Sequence, residues 1–312
     1  MPSSEAPAIL CTGIAVQDIV FRVARFPPPG GKAMTDEFRV VTGGCAVNAA
    51  IAVARLGGRA HYAGPLGDAG DAISSQLIDE MTREGVGTAG VVRVAGATAP
   101  VSGIMIDAAG ERMIATYRDR KLNAARPPDP DALVKDVALL LADNRLPDFV
   151  RPICEAARRR GIPVVLDADR PTTEDDPLFS IATHVVFSSE CLRETIGLDD
   201  LAAGLLRMAP RTAAFLAVSD GPGPVRYLAG GAIRTVPVFK VEAVDTLAAG
   251  DVFHAGIALA LAEGRDEVAA IRFGAAAAGV KCTRFGGSMG APRRAEVEAL
   301  LAKQDQSVVG LD

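Results

Sequence analysis

The sequence predicts an α/β fold: a doubly wound, mostly parallel sheet with helices on both faces and a small lid of extra strands. Three observations lead there. Short apolar runs alternate with segments of helical composition along most of the chain. Two regions, Ile14 to Thr42 and Val101 to Tyr117, break that alternation. Turns rich in Gly and Ala stand immediately before two apolar helical segments. In chain order, Ala8 to Thr12 reads as the first buried strand, and Ile14 to Thr42 as strands of the lid. The Gly43-Gly44 pair opens a small-residue helix that ends near Gly57, and Ala60 to Gly64 is the next strand. Val101 to Tyr117, with Gly110-Glu111 as its turn, reads as a hairpin that completes the lid. The Pro-rich Arg126 to Pro130 is a loop leading into a helix. Strands follow at Ala138 to Ala142, Pro163 to Asp167, His184 to Phe187 and Ala214 to Val218, with helices at Asp148 to Arg160 and Leu198 to Met208. The last strong signal is an apolar helix from about Val252 to Glu263, stopped by Gly264.

A chain of 312 residues, 49% hydrophobic and only 4% aromatic, can bury one large Ala/Val/Leu core, so a single domain over residues 1–312 is expected. No repeat, long linker or low-complexity tail interrupts it. The formal net charge of −5 offers no general attraction to nucleic acid or acidic membranes. No apolar stretch is long enough to span a bilayer, and the start, Met1 to Glu5, lacks the basic residues of a secretory signal. A cytoplasmic location is the expectation. The five cysteines are scattered and not paired at metal-binding spacing, which reads as reduced, mostly buried thiols. Cys45 stands beside the Gly pair. His254 follows Asp251 by three positions, which suits packing or positioning better than proton transfer.

Chemistry concentrates in Asp245-Thr246-Leu247-Ala248-Ala249-Gly250-Asp251. A small-residue turn at a helix start leaves backbone N–H groups open and adds the positive end of the helix dipole, a place for phosphoryl charge. A carboxylate beside phosphate is unfavourable unless it has a task, and accepting a proton from a substrate hydroxyl is such a task. The plainer alternative is an Asp that caps its helix. Gly43, Gly44 and Asn48 form a second cluster, because glycines admit a ligand to the backbone and Asn offers donor and acceptor to a polyol. Ser219-Asp220-Gly221-Pro222-Gly223 closes a strand where open α/β folds place ligand loops, and it also suits a plain tight turn.

Together with Gly64 to Asp71, the order and spacing of these segments resemble the ribokinase/PfkB carbohydrate kinase family, from about Leu10 to about Leu301. The resemblance implies a ribokinase-like fold and transfer of the γ-phosphoryl group of ATP to a sugar hydroxyl, with Mg²⁺. It assigns Asp251 as catalytic base and Ala248, Ala249 and Gly250 as the anion hole. It assigns Asp18, Gly43, Gly44 and Asn48 to the sugar. Ser219, Asp220, Gly221, Gly223 and Thr246 fall to the nucleotide phosphates, and Ala276, Gly279 and the Gly286-Gly287 turn to the adenine pocket. A monovalent cation such as K⁺ near Asp245 and a homodimer formed through the lid are implied in the same way.

Two departures from the family pattern stand out. The family usually has Gly where this chain has Ala248, which matters if the turn needs a positive φ there. An Asn-x-x-Glu element near the metal falls on Ser188 and Cys191, leaving Glu190 one residue out of register as the metal candidate. Within the family, Leu140 to Arg145, Val165 to Asp169 and Lys281 to Gly287 resemble the sulfofructose kinase branch. That resemblance implies sulfonate contacts at Arg145 and at Lys32 of the Gly31-Lys32 turn, with Thr116 replacing the branch's Asn. The expected substrate is thus a ketose-like sugar, with an anionic one such as sulfofructose open. A nucleoside kinase of the same family and a catalytically idle sugar-binding relative are the alternatives.

Overall fold

The computed structural model describes residues 6–309, with side chains through residue 304. The strands are β1 (Ala8–Thr12), β2 (Val16–Arg22), β3 (Glu37–Gly43), β4 (Arg59–Leu66), β5 (Gly87–Arg93), β6 (Val101–Ile106) and β7 (Arg112–Tyr117). They continue as β8 (Leu139–Asp143), β9 (Val164–Ala168), β10 (His184–Ser188), β11 (Phe215–Asp220), β12 (Gly223–Ala229) and β13 (Ala232–Val236). The helices are α1 (Cys45–Arg55), α2 (Ala72–Arg83), α3 (Pro130–Leu133), α4 (Pro147–Arg159) and α5 (Pro177–Ile181). After them come α6 (Ser189–Ile196), α7 (Leu201–Met208), α8 (Ala249–Ala262), α9 (Glu267–Cys282) and α10 (Arg294–Val309).

Nine strands form the main sheet in the order β13-β12-β11-β10-β9-β8-β1-β4-β5. Those from β11 to β5 run parallel, and β12 and β13 add an antiparallel edge. Strand side chains alternate between two buried faces. Ile9, Cys11, Leu139 and Leu141 join a core with α1, α8 and α9, while Leu10, Leu140 and Ala142 join one with α4, α6 and α7. Burial on both faces explains the nearly continuous apolar runs. The winding reverses between β1 and β8, which pair directly. A crevice therefore opens at the carboxyl ends of β1, β8, β9 and β10, the usual ligand position in such sheets.

The lid is a second sheet, β3-β2-β6-β7, in which β2 and β6 pair in parallel and the outer pairs are antiparallel. Val20, Val41, Ile104 and Ile106 pack there against Leu247 of the Asp245–Asp251 turn, so the lid touches the segment expected to do chemistry. Sequence patterning misses β5, β12 and β13. β5 and β13 are the edges of the sheet and β12 lies next to one of them, and all three have half-exposed side chains and little apolar alternation. Ser219 to Gly223 forms the turn of the β11–β12 hairpin at the carboxyl end of β11. The helix expected from Leu198 begins at Leu201, because Asp200 accepts hydrogen bonds from Ala202 N and Ala203 N and caps it. Among the described residues no helix is long and apolar enough to cross a membrane.

Candidate active site

The two Gly/Ala turns converge. Gly43 ends β3, and a Cβ there would lie 2.0 Å from Asp18 Oδ2 on the neighbouring strand, so only glycine leaves room for that carboxylate. Gly44, at φ 92°, turns the chain into α1 and brings Asn48 into its first turns. Asn48 Nδ2 donates to Asp251 Oδ2 at 2.7 Å, joining residues 203 positions apart. The other end of that amide, Oδ1, is buried without a protein partner and is free to accept from a hydroxyl.

Asp251 lies in the first turn of α8. The first bond into the helix is Val252 N to Ala248 O, and Ala249 N donates to Thr246 O at 3.2 Å. The open amides of the expected anion hole are therefore those of Gly250 and Asp251, while that of Ala249 closes the turn. Ala248 has φ 63° and is the one non-glycine residue in the left-handed region among the described residues. The turn does need a positive φ, which answers the question posed by the Gly-to-Ala departure. The Ala248 backbone pays the strain and keeps the turn.

Carboxylates crowd the floor of the crevice. Asp251 is pushed up to about 6, first by burial and then by Asp169 and Asp143, against the lowering effect of the Asn48 and Cys45 hydrogen bonds. Asp143, at the end of β8, accepts from Ile14 N at 2.8 Å and Arg145 N at 2.9 Å, yet burial raises it to about 6. Burial and the charges of Asp169, Asp251 and Asp143 hold Asp167 well above the carboxylate range. Asp18 is raised to about 7 by burial, against a hydrogen bond from Ser102, whose hydroxyl lies 3.0 Å from that of Thr116. Thr116, exposed on β7, is thus linked to Asp18 through Ser102. His254 is buried, with Nδ1 2.7 Å from Gly250 O and Nε2 3.1 Å from Val186 O. Burial pushes its pKa down. It ties α8 to β10, which is a positioning role.

Glu190 stands apart from the buried carboxylates at the floor of the crevice. Glu190 is exposed in the first turn of α6, where it suits the helix dipole, and the Ser188 hydroxyl accepts from Cys191 N at 3.1 Å as a plain cap. The donors that do gather are Cys45 Sγ, Asp167 and Asp251, all within 4.8 Å of one another. Mg²⁺ prefers oxygen ligands, so Asp167 and Asp251 fit it and the thiol does not. The mutual repulsion of these carboxylates is itself a reason for the cluster to take a cation. Asp143, Asp167 and Asp169 are the site residues that sequence reasoning passed over. Their signal was an acidic residue at or just after the end of a buried parallel strand.

Arg145 follows β8, and its guanidinium is ion-paired with Asp169. With Arg118 and Arg170 it lines a cavity of about 210 Å³ that also reaches Asn123 and Phe149. The Nε atoms of Arg145 and Arg170 are buried without protein partners. Burial, Arg170 and Arg145 together lower the pKa of Arg118, the mark of cations forced together. Lys32 is exposed on the connection from β2 to β3 and does not line this cavity.

On the nucleotide side the expected residues separate. Asp220 is ion-paired with Arg226 at 3.1 Å and Arg193 at 3.7 Å, Ser219 Oγ donates to Phe187 O, and Gly221 and Gly223 shape the hairpin turn. Thr246 presents its carbonyl to Ala249 N and to Arg112 of the lid. Ala276 is completely buried in the core, and Gly279 packs against Phe239, Val241 and Leu300. Ala276 therefore presents no side chain to a ligand. The reason is that α9 is apolar on nearly all sides, which sequence periodicity cannot resolve into faces.

Comparison with known proteins agrees with this geometry. A sequence profile described as "pfkB family carbohydrate kinase" matches residues 6–294. A ribokinase from Bacillus subtilis is 29% identical over 306 residues, covering 94% of this chain and 99% of its own. A solved structure of a "putative ribokinase" from Agrobacterium tumefaciens superposes with a TM-score of 0.91 at 35% identity, covering 96% of this chain and 99% of that one. A fructokinase with bound ATP from Xylella fastidiosa superposes with a TM-score of 0.75 at 28% identity, covering 96% and 99%.

Proposed function

The chain belongs to the pfkB family of carbohydrate kinases, and from that premise we propose that it transfers the γ-phosphoryl group of ATP to a hydroxyl of a ketose-like sugar that carries an anionic group. The observation that carries the kinase chemistry is the Asn48–Asp251 hydrogen bond at the mouth of the open α8 amides. Asn48 and Asp18 hold sugar hydroxyls. Asp251 takes the proton from the attacking hydroxyl, and the Gly250 and Asp251 N–H groups, with the α8 dipole, offset charge on the transferring group. Leu247 packed beneath lid residues Val41 and Ile104 couples lid closure to this turn and excludes water. Asp167 and Asp251 would hold Mg²⁺, which supplies positive charge to the phosphate oxygens. Use of ATP suits the cytoplasmic location expected from the sequence.

The anionic part of the proposal rests on the cavity lined by Arg118, Arg145 and Arg170. Three guanidinium groups, two with unpartnered buried Nε atoms, suit a sulfonate, phosphate or carboxylate with bidentate donors. Sulfofructose is one such sugar. A second reading, a neutral ribose- or fructose-like sugar, draws support from the Arg145–Asp169 ion pair, which already neutralises one of the three. ATP turnover measured with sulfofructose, fructose phosphates, 2-keto-3-deoxygluconate, ribose, fructose and adenosine separates these readings. Arg145→Met is expected to lower kcat/KM for the charged sugars by about 10-fold or more and leave neutral ones nearly unchanged. An equal loss for both classes removes the anion reading, and adenosine as the best acceptor makes the enzyme a nucleoside kinase. No turnover with any acceptor leaves the idle relative.

The exposed apolar residues of the lid, among them Phe21, Phe38, Val40 and Tyr117, further support a homodimer joined through the lid sheets.

A further inference from the structure

The position beside Asp245 where a monovalent cation is expected does not fit an added ion, because the chain fills it. Lys281, in the last turn of α9, is completely buried. Its Nζ donates to Asp245 O at 2.7 Å and lies 3.2 Å from Asp245 Oδ2. The rest of that carboxylate is also taken: Oδ1 accepts from Leu247 N at 2.7 Å, and Oδ2 from Gly286 N at 2.9 Å and Gly287 N at 3.1 Å. Cys282 O accepts from both Val244 N and Asp245 N, so the end of α9 grips the segment from its backbone as well. Gly290 closes over the lysine stem, since a Cβ there would lie 3.5 Å from Lys281 Cε. A K⁺ ion at these oxygens would have to displace an ammonium that carries the same charge and is tethered to the protein.

The placement has a mechanical consequence. Asp245 stands three residues before Ala248, and Thr246 O takes the Ala249 N–H that closes the turn. A cation fixed on Asp245 therefore holds the base of the segment that presents the Gly250 and Asp251 amides. Arg112 reaches the same segment from the lid, at Thr246 O, so the turn is clamped from both sides by cationic side chains.

We propose that the Lys281 ammonium is the resident monovalent cation of this enzyme: it positions the Asp245–Gly250 turn, and phosphoryl transfer needs no added K⁺ or NH₄⁺. Lys281 is a positioning residue, since its ammonium is completely buried on Asp245 and acts through the turn.

The test compares KCl, NH₄Cl and choline chloride at equal ionic strength, by initial rate and by melting temperature. Wild type is expected to show the same kcat and the same melting temperature in all three salts. Lys281→Ala is expected to lose about 10-fold or more in kcat, with a smaller change in KM for the sugar. NH₄⁺, K⁺ or methylammonium should restore part of that kcat and raise the variant's melting temperature, which choline should not. Stimulation of wild type severalfold by K⁺ or NH₄⁺ overturns the proposal. So does a folded Lys281→Ala enzyme with full activity, or one whose loss no small cation repairs. Should Lys281→Ala not fold, the wild-type salt series decides alone. The inference rests on the kinase reading, and the two fail differently. Absence of turnover in every salt defeats the kinase reading, while a K⁺-specific rise in the wild-type melting temperature defeats only this one.

Discussion

Asp251 must be ionised to accept a proton, yet it sits among Asp143, Asp167 and Asp169 in a crevice that favours its neutral form. Its pKa is raised to about 6 without a metal, and a dication held by Asp167 and Asp251 would lower it, so kcat/KM should climb with pH at or below that value and level off above it. Asp251→Asn should lower kcat by about 10²- to 10⁴-fold while calorimetric ATP affinity stays close to wild type. Near-normal turnover would remove Asp251 as the base. Stability should move the other way. A carboxylate raised in the folded state stabilises fully below its unfolded pKa and loses that contribution as pH rises through the folded value. For Asp18, Asp143 and Asp251 the loss falls between about pH 4 and 7. Asp251→Asn should accordingly melt roughly 2–6 °C above wild type at pH 7.5 and lose that advantage near pH 4. Ala248 carries a different burden, a left-handed backbone at φ 63° that disfavours an L-residue by about 1–2 kcal/mol. Ala248→Gly relieves it but frees the unfolded chain by about 0.5–1 kcal/mol, so little net change in stability and no loss of kcat are expected. A large gain in kcat would mean that the Ala distorts the anion hole. Spacing made Asp251 and Asn48 legible as candidates. Their 2.7 Å contact was not, because nothing local ties residues 203 positions apart.

At the scale of elements, α8 sets where Asp251 and the open amides stand, and its closest neighbour is α9. The two approach through glycines: a Cβ on Gly256 would lie 2.6 Å from Gly274 Cα, and one on Gly274 would lie 2.5 Å from Phe253 O. Neither contact can be relieved by turning a side chain, so an added methyl must move a helix. Gly256→Ala is expected to destabilise by about 1–3 kcal/mol and to lower kcat as well, because the shifted helix carries the base. Denaturant unfolding and steady-state kinetics check both halves, and a variant with wild-type stability would refute the close-packing argument. The sequence announced α8 through its small-residue start and Gly264 stop. It could not announce the partner face, since α8 and α9 are apolar almost all round and carry no stripe. Patterning was silent on β12 and β13 for a related reason: an antiparallel edge with half-exposed side chains shows neither a continuous apolar run nor clean alternation.

For the whole molecule, the lid gathers several exposed apolar side chains on one sheet. Phe38 is 57% exposed, Val40 53% and Tyr117 58%, and Phe21 stacks on Phe38. If lid sheets from two chains cover this surface, light scattering should report a dimer, and Phe38→Glu with Val40→Glu should shift it to monomer. The same double variant should raise KM for the sugar, because an unsupported lid brings its Asp18 over Asn48 less readily. A wild-type monomer at micromolar concentration would refute the dimer.

Length, the alternation of apolar strands with helices, and two Gly/Ala turns each followed by a polar residue were enough for the sequence to determine the α/β class and the lid, and to mark the Asp245–Asp251 segment as a candidate for phosphoryl chemistry. Those features are local: propensity, period and turn chemistry act over a few residues and are written in order along the chain. Four matters were decided by the tertiary structure alone. It gathered Asp143, Asp167 and Asp169 beside Asp251, and left Glu190 exposed on the first turn of α6. It placed Arg118 and Arg170 beside Arg145, and set the Lys281 ammonium on Asp245. Apart from Glu190, each joins side chains from strand ends, loops or helix ends far apart in sequence. Such groups acquire their charge state and their task only when burial brings them together and removes the water between them.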